Sequence, residues 1–125
     1  MISGSVNAFR EARVPVTVTG PAGIVRTINF LVDTGFNGDI TLPPQLIATL
    51  GLRWLQSDSV RFADDRLVME DVYVAEIEWG GTTQTIHVYV MDSPPLLGTF
   101  LLLGCRIEID MVDGGDVVIR PIPTP

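Results

Sequence analysis

Cysteine and histidine are nearly missing from this chain, which has one of each, Cys105 and His87, in 125 residues. A lone cysteine cannot close an intrachain disulfide, and one Cys with one His is too few for a structural zinc site. No metal or other cofactor is implied. Cys105 is expected as a small core hydrophobe. His87 lies inside a strand pattern with no second His or Cys nearby, so it is expected as a surface or interstrand imidazole. Basic residues are also scarce. Eight against fifteen acidic residues leave a formal charge of −7, a surface that repels phosphate backbones and anionic lipid, so no nucleic acid and no membrane is expected as a partner. Apolar runs long enough to cross a bilayer are absent. Met1-Ile2-Ser3-Gly4-Ser5 shows neither the basic nor the continuous apolar segment of a secretion signal. A reducing cytoplasm is the expected compartment.

What is present is enough for one core. Hydrophobic residues make up 46% and charged residues 18%, at a length suited to a single domain spanning residues 1–125. Short strand patterns dominate. Ile2 to Phe9 alternates loosely and Arg13 to Thr19 more clearly, though Pro15 suggests an edge position or an irregular start. Gly20-Pro21-Ala22-Gly23 is a turn by composition, so Arg13 to Val32 reads as a hairpin. Asp39 to Leu42 resembles a brief strand. Pro43 to Gly51 is the best helix candidate, with proline in the first turn, Leu46, Ile47 and Leu50 on one face, and glycine at the close. Arg53 to Phe62 and Leu67 to Trp79 are strand-like, and Glu76 and Glu78 oppose Tyr73, Ala75, Ile77 and Trp79, as on a strand wet on one side. Gly80-Gly81 fits a two-residue type I′ or II′ hairpin loop leading back through Thr82 to Met91. Thr99 to Gly104 reads as an apolar turn or short helix. Ile107 to Val112 and Val117 to Ile119 complete the strands. In the proline-alternating tail only Ile122 and Thr124 carry amide donors; it either pairs along one edge or frays as polyproline II.

The chemistry concentrates at Phe30-Leu31-Val32-Asp33-Thr34-Gly35. The run from Thr27 to Val32 has little polar relief on either face and predicts a buried strand. Ending it in Asp33 is costly unless the carboxylate meets donors or stays protonated. Gly35 permits a sharp bend and Thr34 offers a short hydroxyl. Taken alone, the triplet also fits an ordinary Asx-turn.

Some sixty residues later comes a second element, Leu96-Leu97-Gly98, just ahead of the short C-terminal helix. Together the two resemble the single-domain retropepsin-like aspartic proteases, with Asp-Thr-Gly early, a flap hairpin between, and an apolar-apolar-Gly segment late. The likeness runs from about Arg13 to Ile119, and the Asp-Thr-Gly-Phe start is similar to the small prokaryotic cellular members. It implies an all-β, closed β-barrel with one or two short helices. It also implies a homodimer, since one motif supplies only one acid, and a peptide or protein substrate. Asp33, Thr34 and Gly35 would be catalytic: Asp33 paired with its twin, Thr34 bonding across the two-fold axis, Gly35 accepting substrate backbone bonds. Phe36, Ala63, Asp64, Asp65, Leu97 and Gly98 would contribute to the substrate site, with Gly98 letting its segment pass close under the catalytic loop.

The sequence departs from the family pattern in three places. Ala63 to Arg66 falls at the flap tip, where glycine is usual, so a stiffer and more acidic lid is expected. Thr99 and Asn37 stand where retroviral members often carry an Arg and an Asp that brace the dimer. Phe36 is bulkier than the usual Ala or Ser, and either lines the groove or turns inward to the core. Two other readings stay open here. One is a catalytically inactive dimerisation or peptide-binding module on the same fold; the other is an unrelated small barrel in which Asp33 is only a turn residue.

Overall fold

A computed structural model describes residues 1–123. Its strands are β1 (Ile2–Val6), β2 (Ala12–Thr19), β3 (Val25–Val32), β4 (Ile40–Leu42), β5 (Arg53–Arg61), β6 (Leu67–Trp79), β7 (Thr82–Val90), β8 (Leu96–Leu97), β9 (Cys105–Ile109) and β10 (Asp116–Pro121), with α1 (Pro44–Leu50) and α2 (Thr99–Leu102) between them. The fold is all-β, as the alternation predicts. Among the described residues no helix is long and apolar enough to cross a membrane.

All ten strands join one sheet in the order β5-β6-β7-β4-β8-β3-β2-β1-β10-β9. β2 also pairs with β6 through Val18↔Ile77 and Thr19↔Glu76, so the pairings return on themselves through β2, β3, β8, β4, β7 and β6. Inward residues of this ring, among them Val14, Val18, Phe30, Ile40, Leu42 and Val88, are completely buried. β6 is the long member. Its outer half pairs only with β5, forming the arm of a hairpin, while its inner half is held by β7 and β2.

Local chemistry accounts for most of the turns. Gly80 and Gly81 both have positive φ, 59° and 89°, which selects the type I′ turn between Trp79 and its register partner Thr82. α1 begins at proline, ends at left-handed Gly51, and buries Ile47 and Leu50. At seven residues it is held by that packing rather than by propensity. β1 stops at Val6, short of the expected Phe9, because the Asn7 side-chain oxygen takes the amides of Phe9 and Glu11 and closes a turn there.

Three expectations need correction. β3 is not buried on both faces: Val25, Arg26, Thr27 and Asn29 are exposed, and full burial alternates through Ile28 and Phe30. These outward side chains are open to solvent, so apolar content alone overstated the cover. Pro15 does not place β2 at an edge, since β3 pairs along one side and β1 and β6 share the other. Those two neighbours engage residues 12–13 and 18–19, and Pro15 falls in the stretch between them, where its missing N–H breaks no pairing. The last strands are also shifted, β9 beginning at Cys105 and β10 reaching Pro121. The tail takes the pairing alternative as far as Ile122, whose N–H donates to the Gly104 carbonyl at 2.9 Å; Thr124 lies outside the described residues.

Phe30, completely buried inside the ring and two residues before β3 ends, is the simplest test of this core. Phe30→Ala is expected to cost about 3–5 kcal/mol of stability, measured by urea unfolding.

Candidate active site

β3 delivers Asp33 to the end of the ring, where the strand is held in place by β8. Leu31 N–H donates to the Pro95 carbonyl and Asp33 N–H to the Leu97 carbonyl, both at 2.9 Å. The chain then turns: Phe36 N–H reaches back to the Asp33 carbonyl at 3.2 Å, and Gly35 N–H donates to Asp33 Oδ1 at 2.8 Å. That second bond fixes the carboxylate. Asp33 is half-buried and Thr34 is exposed.

The loop rests on the segment that follows β8. Gly98 N–H donates to the Asp39 carbonyl at 2.9 Å, Thr99 N–H to the Phe36 carbonyl at 2.8 Å, and Phe100 N–H to the Gly38 carbonyl at 3.2 Å. The Thr99 hydroxyl adds a bond to the same Phe36 carbonyl. Leu97 is buried beneath this contact. A Cβ on Gly98 would collide with the Gly38 carbonyl oxygen and lie 2.7 Å from that of Phe36, so the approach needs a residue without a side chain.

Phe36 takes the inward orientation. Its ring is completely buried, edge-on to Tyr89 at 5.6 Å and stacked with Phe62 at 6.2 Å. Asn37 and Thr99 do not meet as a pair: Thr99 braces Phe36, and Asn37 Oδ1 accepts the Arg61 N–H at 3.2 Å. The β5–β6 hairpin folds over the loop as a lid. Its tip turns through Asp65, a non-glycine residue at φ 62°, with the Asp64 carboxylate accepting the Arg66 N–H and an exposed Asp64–Arg66 ion pair at 3.7 Å. Turn-forming Asp thus does the work that glycine does at the usual tip. Ala63 sits directly on Gly35, where an added Cβ would lie 2.5 Å from its own. Asp64 and Asp65 themselves are exposed at the tip.

Two contributors were not singled out from the sequence. Asp39, read as the start of a brief strand, is a buried carboxylate whose Oδ2 accepts the His87 main-chain N–H at 2.9 Å, tying the Asp33 loop to β7. Burial raises its pKa, and the His87 bond opposes that only in part. Tyr89 is also pushed up, first by burial and then by the Asp58 and Asp39 carboxylates, so it stays a neutral phenol beside Phe36. His87 itself is exposed. Cys105 packs half-buried against the core, with burial raising its thiol. Behind the loop a cleft of about 560 Å³, lined by Asp39, Trp79, Ile86 and Phe100, does not reach Asp33. Among the described residues no three His, Cys, Asp or Glu side chains gather to hold a metal ion.

A strand-end carboxylate oriented by a glycine amide, supported from beneath by an apolar-apolar-Gly segment and covered by a hairpin, is the layout of an acid protease lobe. A family model described as aspartyl protease matches residues 14–110, and the chain belongs to this family, within the pepsin/retropepsin clan. The match spans both Asp33-Thr34-Gly35 and Leu96-Leu97-Gly98. None of the curated proteins compared with the chain matches it.

Two measurements probe this scaffold. Gly98→Ala presses a methyl against rigid main-chain oxygens, and is expected to destabilise by about 1–3 kcal/mol in urea unfolding while leaving the strand content unchanged by circular dichroism. Asp39, with its pKa raised in the fold, contributes stability that is complete below the ordinary Asp value of 3.8 and is lost as pH climbs through the raised one. Asp39→Asn keeps an acceptor for His87, so its stability profile, compared with wild type from about pH 3.8 upward, is expected to lack that decline.

Proposed function

We propose that the chain is an aspartic endopeptidase that works as a homodimer, with Asp33 of each subunit facing its twin across a shared water. The observation that carries this reading is the Asp33 loop: a carboxylate oriented by the Gly35 amide and held by β8 at the open end of the ring. The membership in the aspartyl protease family supports it. In the proposed assembly the ring is the single-lobe closed barrel of a retropepsin.

Two carboxylates a few ångströms apart cannot both ionise, so they share one proton. The ionised member takes a proton from the water, whose oxygen attacks the scissile carbonyl carbon. The protonated member donates to the carbonyl oxygen, giving a tetrahedral diol. As the C–N bond breaks, the protonated member gives its proton to the leaving nitrogen while the ionised member takes one from a diol hydroxyl, which becomes the new carbonyl, restoring the shared-proton pair. One motif per chain supplies both roles because the two-fold axis repeats it. Thr34, exposed on the loop, would bond across that axis. Gly35 and the lid residues Ala63, Asp64 and Asp65 would hold an extended peptide as an added strand, with Leu97 and Gly98 shaping the floor from beneath. Phe36 contributes by fixing the lid rather than by touching substrate. The reaction is assigned to the reducing cytoplasm, where a lone thiol such as Cys105 stays free.

Cleavage of a diverse peptide library, assayed at several acidic to neutral pH values, is the direct test. Activity blocked by a statine-type inhibitor and lowered at least about a hundredfold in Asp33→Asn supports the peptidase. A folded dimer with no cleavage at any pH points instead to an inactive peptide-binding module, and a stable monomer in sedimentation removes the paired-acid mechanism.

A further inference from the structure

β5 stands at the end of the strand order, so among the described residues its outward side has no strand neighbour. An edge amide on that side would ordinarily face water, or pair with an incoming chain. Arg61 does neither, because its N–H is taken by the side-chain oxygen of Asn37 at 3.2 Å. The neighbouring lid residues repeat the pattern. Phe62 stacks on Phe36, with Arg66 over the outer face of the Phe62 ring at 5.8 Å, and Ala63 sits on Gly35. Three successive lid residues therefore meet three successive residues of the turn that follows Thr34, 61 with 37, 62 with 36 and 63 with 35, the numbers rising on one side as they fall on the other.

This closure leaves no space for a substrate. A peptide laid as a strand between lid and floor needs about 4.8 Å to its neighbour on each side, whereas Ala63 and Gly35 are already in van der Waals contact. A peptide can enter only if all three contacts part. The group holding Arg61 is an amide carbonyl, chemically the same acceptor that a peptide backbone brings.

We propose that Asn37 is a positioning residue that latches the lid: its side-chain oxygen stands in for a substrate carbonyl on the Arg61 N–H and keeps the empty site shut. This rests on the peptidase reading for its consequence, since the peptide would displace Asn37 and take over the same donor. Removing the stand-in loosens the empty lid and eases peptide binding, without altering the chemical step.

Asn37 is exposed, so substitutions there leave the core alone. Asn37→Leu keeps the size and removes the acceptor; Asn37→Asp keeps the acceptor. Hydrogen exchange of the peptide-free full chain is expected to show the Arg61 amide exchanging about five- to tenfold faster in Asn37→Leu, with protection restored in Asn37→Asp. With a cleavable peptide, Asn37→Leu is expected to lower KM about fivefold at unchanged kcat. Unchanged exchange in Asn37→Leu, or no restoration in Asn37→Asp, overturns the latch, and a raised KM overturns the stand-in role. Exchange is read without catalysis, so a chain that cleaves nothing would sink the peptidase reading while the latch is still judged by its own measurement.

Discussion

The crossing of two chain segments at Gly98 is the constraint on which the site depends. Main-chain bonds from Asp33, Gly98, Thr99 and Phe100 lace the Asp33 loop to the β8–α2 segment. They form only because the backbones approach closer than any side chain allows. Each bond is modest by itself, and their value lies in geometry: they fix where β3 ends, and so where the Asp33 carboxylate stands. The Gly35 amide then sets its direction. A rigid loop of this kind holds the acid in one orientation, and a group fixed in advance needs no reorganisation when it acts.

The lid shows how the same loop serves two purposes. Its floor side orients the acid, and its upper side offers Gly35, Phe36 and Asn37 to the hairpin above. Phe36 links the two, its ring clamped between Phe62 of the lid and Tyr89 of the ring wall. The bulky residue that departs from the family pattern thus has a packing role, and the acidic tip is steadied within itself by the Asp64 and Arg66 contacts.

Much of this was legible in the sequence wherever local physics decides. Glu76 and Glu78 announced a strand wet on one side, Gly80-Gly81 a tight hairpin, and Pro43 to Gly51 a helix, because alternation and special φ values are local properties. Gly98 was legible through its pairing with the Asp-Thr-Gly element. What escaped depends on partners far along the chain. Asp39 resembles any turn residue until β7 brings the His87 amide to it. The Asn37–Arg61 bond spans 24 positions, and nothing in either residue type foretells it. The outer face of β3 was misjudged because composition states how apolar a strand is, and only the assembled sheet decides which of its faces is covered.

The pairing of the first strand with the last has a consequence for biosynthesis. Ile2 is matched with Ile119, so β1 emerges from the ribosome almost the whole chain ahead of its principal partner. The β2–β3 and β6–β7 hairpins join near neighbours and can form early, whereas the β1–β10 pairing must wait until Asp116 to Ile119 are made. Synthesis through β10, rather than formation of the Asp33 loop, is therefore the event that seals this domain.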